Sequence, residues 1–179
     1  MSRALDAFSL QKKVDIKIES APQSIAFSLP AVDLTFDYDL PARLVHDWWT
    51  DLSGTGYVGK SLKSIRTIGR EDDKILVETK WKVMRRNMKL IERFTPESAN
   101  HWTWEPTIMR IHITDDFKLE EKGGRATLRI VSDFEPQGIK GKLSAMMFGR
   151  YLRKMMRDEW YSADDALRRE LADRISTKK

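Results

Sequence analysis

The chain contains no cysteine. That absence excludes disulfide bonds, a thiol nucleophile and any thiolate metal site. Histidine is almost as scarce: His46, His101 and His112 are the only three, and no two of them stand in an H-x-H or H-x-x-x-H spacing. We expect no metal centre and no cofactor. No apolar run approaches the roughly 18 residues that cross a bilayer as a helix. The opening MSRALDAFSLQKKVDIKIES lacks the apolar stretch of a secretory signal, and Asp6 runs against transit-peptide composition, so the expected location is the cytoplasm.

What is present suits a single core. The 179 residues are 41% hydrophobic and 33% charged, a balance that buries one domain and covers it with a solvated surface. The net charge is +5, but 32 basic residues are interspersed with 27 acidic ones, which describes a mixed surface better than a nucleic-acid-binding one.

Residues 1–30 read as an N-terminal extension punctuated by Pro22 and Pro30, and residues 31–175 as the domain. In VDLTFDY, Val32, Leu34, Phe36 and Tyr38 alternate with polar residues, the period of a half-buried strand. DLPARLVHDWWTDLSG follows as a helix opened by Pro41, with Asp39 as candidate cap and Leu44, Val45, Trp48 and Leu52 on one stripe. SLKSIRTIG, KILVETKWKVM, MKLIERF, NHWTWE, RIHITDDFKLEE and RATLRIVSDFE then read as strands, the last two joined by a hairpin at Gly123-Gly124. From about Lys142 to Ile175 a long helix carries the stripe Leu152, Met156, Trp160, Ala163, Leu167, Leu171.

The segment GTGYVGKS, Gly54 to Ser61, satisfies both G-x-G-x-x-G and G-x-x-x-x-G-K-[ST]. A phosphate loop needs a buried strand before it and a helix N-terminus after it, whose amides hold the anion. Here helix-patterned HDWWTDLS comes before and strand-patterned LKSIRTIG comes after, so no nucleotide is expected. The glycines read instead as a bent connection between helix and sheet.

For acid–base chemistry the strand residues His101, His112, Glu105, Asp115 and Asp116 are the candidates, since a carboxylate or imidazole turned into an apolar interior has a shifted pKa. In TDDFKLEE, however, acidic residues fall on both faces, which reads as a solvated edge or hairpin arm, and no residue is assigned a catalytic role. There are two basic clusters, Arg85 to Lys89 and Arg150 to Arg157, and the second gives the helix a positive face of Arg150, Arg153, Lys154 and Arg157. Such a face is usually solvated, and contact with an anionic membrane surface or a nucleic acid is its alternative role.

The opening VDLTFDYDLPARLVHDWW, the glycine-rich GTGYVGKS and the close ATLRIVSDFEPQGIKGKLSAMMFGRYLRKMM resemble the helix-grip superfamily of START domains, the birch pollen allergen family and polyketide cyclase/dehydrase-like (SRPBCC) proteins. The resemblance covers about residues 31–172 and rests on the order of elements. It implies an α+β fold in which a curved antiparallel sheet wraps a long C-terminal helix, and an apolar small-molecule ligand (lipid, polyketide or quinone-like) held between them. The ligand-binding residues it suggests are Trp81, Val83, Trp102, Trp104, Met147, Phe148, Tyr151 and Met155. Two alternatives follow from the same superfamily: a cyclase/dehydratase-type enzyme with an inward His or Glu, and a protein-interaction domain of the chaperone-activator kind. Cavity lining and solid core share one apolar period, so both readings of the tryptophans carry forward.

Overall fold

The computed structural model describes residues 29–53 and 59–176. Residues 1–28 of the N-terminal extension and the first part of the glycine segment, Gly54 to Val58, lie outside these described residues.

Alternating hydrophobicity becomes sheet wherever it occurs. Strand β1 (Val32–Tyr38) buries every second side chain, as its sequence period dictates. Helix α1 (Ala42–Trp49) follows, and then β2 (Leu62–Glu71), β3 (Lys74–Val83), β4 (Arg86–Ser98), β5 (His101–Glu105), the short β6 (Thr107–Ile108), β7 (Ile111–Lys122) and β8 (Arg125–Pro136). The 39-residue α2 (Gly138–Ser176) closes the order, beginning four residues before the stripe alone suggested. Seven strands form the path β1-β8-β7-β5-β4-β3-β2, antiparallel throughout, with β6 paired to β7 off that path. This is a curved, unclosed sheet with α2 packed against β8, β1 and β7.

The stripe expected along α2 is the buried one, with Leu152, Met156, Trp160, Ala163 and Leu167 all in the core. Two details of α1 differ from the sequence reading. Asp39 does not cap it but pairs with Arg125, and Glu121 of β7 accepts from the Ala42 amide at 2.8 Å, satisfying one of the unpaired amides at the helix start. The buried stripe is Ala42, Val45 and Trp49, while Leu44 is exposed and Trp48 is half-buried, donating to Glu170 at 2.7 Å. Choosing Trp49 over Trp48 places an indole against Phe117 and Trp160, with ring centroids 5.9 and 6.2 Å away.

A larger difference concerns TDDFKLEE. It is no edge: β7 runs between β5 and β8 in the middle of the sheet, and the edges are β1 and β2. The phase Ile113, Asp115, Phe117, Leu119 faces the core, and only Asp115 is out of character with it.

The hairpins reach positive φ in two ways. β7–β8 uses Gly123-Gly124, as the sequence indicates, but β3–β4 turns on Met84-Arg85 (φ 47° and 68°) and β6–β7 on Met109-Arg110 (φ 55° and 62°). Side-chain-bearing residues in the left-handed region cost on the order of 1 kcal/mol each. No described helix is long and apolar enough to span a membrane.

Candidate functional site

A single polar row crosses the otherwise aromatic inner face of the sheet. Trp81 comes from β3, Glu92 from β4, Trp104 from β5, Asp115 from β7 and Ser132 from β8, with Trp160 of α2 over them. The register explains the row: Trp104 lies opposite Asp115, and Asp115 opposite Ser132. All six are essentially excluded from solvent.

Glu92 is held in a fork of two indoles. Trp81 Nε1 donates to its Oε1 at 2.6 Å and Trp104 Nε1 to its Oε2 at 2.6 Å, and Trp81 also lies 3.1 Å from Thr79 Oγ1. Burial pushes the Glu92 carboxyl up to about 7 against the pull of those donors, because desolvation disfavours the charged form more than three neutral donors restore it. Asp115 is pushed up to about 8, again by burial first. The Ser132 hydroxyl and Trp160 work against the rise, and the nearby Glu92 charge adds to it. Trp160 Nε1 donates to Ser132 Oγ at 3.2 Å, and neither Asp115 carboxylate oxygen has a partner at hydrogen-bonding geometry among the described residues. The result is a pair of buried acids that hold protons near neutrality, with the Asp115 oxygens short of saturation.

A third buried acid serves a different end. Glu159 of α2 accepts from the Ser61 amide at 2.6 Å, and its carboxyl is raised by burial. A Cβ on Gly59 would run into that carboxylate, so the last glycine of GTGYVGKS is where the connection passes directly under α2. The segment leads from α1 into strand β2, and the Ser61 amide is spent on a carboxylate of the same chain.

Open space lies at the end of the grip. A cleft of about 620 Å³ sits between the β3–β4 turn, the β6–β7 turn and the first half of α2, and its apolar walls are Val83, Met84, Met88, Met109 and Phe148. Tyr151 braces it from outside, accepting the Met84 amide at 2.8 Å. Met88 lies opposite Trp81 in the β3–β4 register, so the cleft is one indole away from Glu92. A second groove, about 680 Å³ and polar, runs between β1 and the basic face of α2.

The residues singled out from the sequence therefore separate. Val83 and Phe148 line the cleft. Trp81 and Trp104 form the fork on Glu92, and Trp102 stacks on Phe117 with centroids 5.3 Å apart in the solid core. Tyr151 and Met155 line a smaller pocket of about 290 Å³ beside Ser61, and Met147 is 65% exposed. Among the acid–base candidates, Asp115 turns inward, whereas Glu105 points to the other face and meets Lys74 at 3.5 Å. His101 pairs with Asp116 at 2.5 Å, and His112 sits beside Thr107. Glu92 was missed. Its signal was present in MKLIERF, where it takes the phase of Met88, Leu90 and Phe94.

No family model matches the sequence, and no curated protein sequence matches it. Solved structures do match. The chain is similar to the Zhui aromatase/cyclase of Streptomyces sp. R1128, with 16% identity, coverage of 82% of this chain and 95% of that one, and a TM-score of 0.65. It is similar to the protein TTHA0849 of Thermus thermophilus at 13% identity, 77% and 97% coverage and a TM-score of 0.61. A START superfamily protein of Mycobacterium smegmatis matches at 13% identity, 75% and 97% coverage and a TM-score of 0.52. At these identities the likeness is one of fold, and function has to be argued from the site. The chain has the helix-grip fold shared by the START superfamily protein and the aromatase/cyclase it resembles.

Proposed function

We propose that this protein binds an apolar small molecule, lipid-, polyketide- or quinone-like, in the cleft at the end of the grip, with the cytoplasm as its setting. The observation that carries the reading is the cleft wall of Val83, Met84, Met88, Met109 and Phe148 at the junction of two hairpins and α2. Its volume, about 620 Å³, falls within the range of small-molecule sites. Methionines adapt their shape, which suits a ligand whose outline is not rigidly specified. Val83 and Phe148 contact the ligand in this reading, and Trp81 forms the wall behind Met88.

Native mass spectrometry of gently purified protein against its denatured mass, followed by titration with an apolar fluorophore, tests the reading. A released apolar species, or micromolar probe binding that Phe148→Ala weakens about tenfold, supports it. Probe binding unchanged by both Phe148→Ala and Met88→Glu removes it.

A second reading, an acid–base enzyme of the cyclase/dehydratase kind, is favoured by one observation: Glu92 and Asp115 are buried carboxyls poised near neutrality behind that wall. Such an acid, held neutral, can give a proton to a carbonyl oxygen and take one back from carbon. The reading requires the ligand to displace Trp81 and reach Glu92. It fails if Glu92→Gln converts a candidate polyketide at the wild-type rate.

A further inference from the structure

The charge of this chain is unevenly placed. Residues 79–91 carry five lysines and arginines, 106–114 carry one and 136–157 carry six, and none of these stretches contains an aspartate or glutamate. The fold brings the three together. The Met84 amide bonds to Tyr151 of α2, and the Arg110 carbonyl accepts from Gln137 at 2.8 Å and abuts Gly141 in the first turn of α2. Arg85, Arg86, Arg110, Lys140, Lys142 and Arg150 are all exposed there, and none has an ion-pair partner among the described residues.

Apolar side chains stand among these cations. Ile139, Leu143, Met146 and Met147 follow one another along the outer face of α2 at 88, 57, 70 and 65% exposure, and Met84 at the adjacent hairpin tip is 44% exposed. Soluble surfaces seldom gather that much apolar area without a use. Both hairpin tips spend a Met-Arg pair on positive φ, where glycine or asparagine is cheaper, and both put an exposed arginine at the same rim, with Met84 exposed beside them and Met109 packed against the core.

We propose that this end of the molecule docks onto an anionic lipid bilayer, with the first half of α2 and the two Met-Arg hairpin tips at the surface. The charge pattern and the apolar pattern together select the partner. Phosphates attract the arginines and lysines, and the boundary between headgroups and acyl chains accepts Ile139, Leu143, Met146 and Met147. A nucleic acid offers the first partner without the second, since protein–DNA interfaces are polar. The end cleft opens inside this surface, so docking turns its mouth toward lipid. That last consequence rests on the cleft being a ligand site, whereas the docking does not.

The test is flotation of the full chain with vesicles of phosphatidylcholine alone and of phosphatidylcholine mixed with phosphatidylserine. Binding to the mixed vesicles, weakened by salt, is expected, with a loss of about fivefold for each cation removed in Arg85→Glu and Arg86→Glu. Leu143→Glu with Met146→Glu should weaken it further, and the exposure of all four positions leaves folding intact. Arg70→Glu, in β2 opposite Ile75 and so at the end of β3 away from the β3–β4 turn, should have little effect. Phe148→Ala should leave flotation unchanged while weakening probe binding, which separates failure of the docking from failure of the cleft reading. Equal binding to neutral vesicles, an equal loss with Arg70→Glu, or tighter binding to duplex DNA than to the mixed vesicles overturns the proposal.

Discussion

Trp104 stands directly opposite Asp115 on β7, yet gives its indole N–H to Glu92 on β4, at 2.6 Å. One aromatic side chain thus sits between two buried acids, hydrogen-bonded to one and packed beside the other. The energetics of the interior depend on which of the two holds a proton.

Stability should therefore fall as pH rises. Both carboxyls are raised in the folded state, Glu92 from 4.5 to about 7 and Asp115 from 3.8 to about 8. Between these limits the folded chain binds more protons than the unfolded one, so the slope of unfolding free energy against pH is negative. The denaturant midpoint should drop steadily from about pH 5 to about pH 8. Asp115→Asn, which mimics the neutral acid, should flatten the upper part of that profile and exceed the wild type in stability above it. A wild-type midpoint that rises over this window would contradict the assignment.

The hydroxyl of Thr79 gives a gentler probe of the same fork. Thr79→Val removes an oxygen that helps hold the Glu92 charge and lies 3.1 Å from Trp81 Nε1. The expected cost is about 1 kcal/mol, together with a further rise in the Glu92 titration followed by carboxyl-carbon NMR. An unchanged titration would mean that Thr79 does not act on Glu92.

Gly59→Ala places a methyl against the Glu159 carboxylate and should destabilise by about 1–3 kcal/mol, the usual cost of overpacking. Because the obstacle is one named side chain, the cost should shrink in a Glu159→Ala background. Additive losses in that thermal-denaturation cycle would locate the strain elsewhere.

The Met-Arg turns oppose stability to surface chemistry. Arg85→Gly relieves a left-handed residue at φ 68° and should raise the melting temperature by the equivalent of about 1 kcal/mol, while weakening vesicle binding. A fall in melting temperature would show that the Arg85 side chain stabilises the fold through contacts that offset its backbone.

Much of the fold was legible because period and burial coincide. Val32 to Tyr38 alternate in sequence and in the structure, and Leu152 to Leu167 repeat at helical spacing against the sheet. What escaped were choices that depend on neighbours in space. Trp48 and Trp49 are equivalent by pattern, and only Phe117 and Trp160 decide between them. Asp115 looked solvated beside Asp116 because an acidic pair in sequence does not show that β7 is interior to the sheet. Glu92 was hidden for a related reason: a carboxylate on an apolar phase has meaning only once Trp81 and Trp104 are seen to converge on it. The cleft residues Met84, Met88 and Met109 come from three positions linked only by turn geometry.

The pairing of β1 with β8 carries a kinetic consequence. Val32 finds its partner at Ser132, and Leu34 at Ile130, about a hundred positions later in the chain. During synthesis the first strand stays an unsatisfied edge until almost the entire sheet has left the ribosome, and the α2 segment that covers the core emerges later still. Such non-local closure slows folding and prolongs exposure of the aromatic interior. The protein should refold slowly from denaturant, with truncations before Arg125 trapped as open, aggregation-prone sheets.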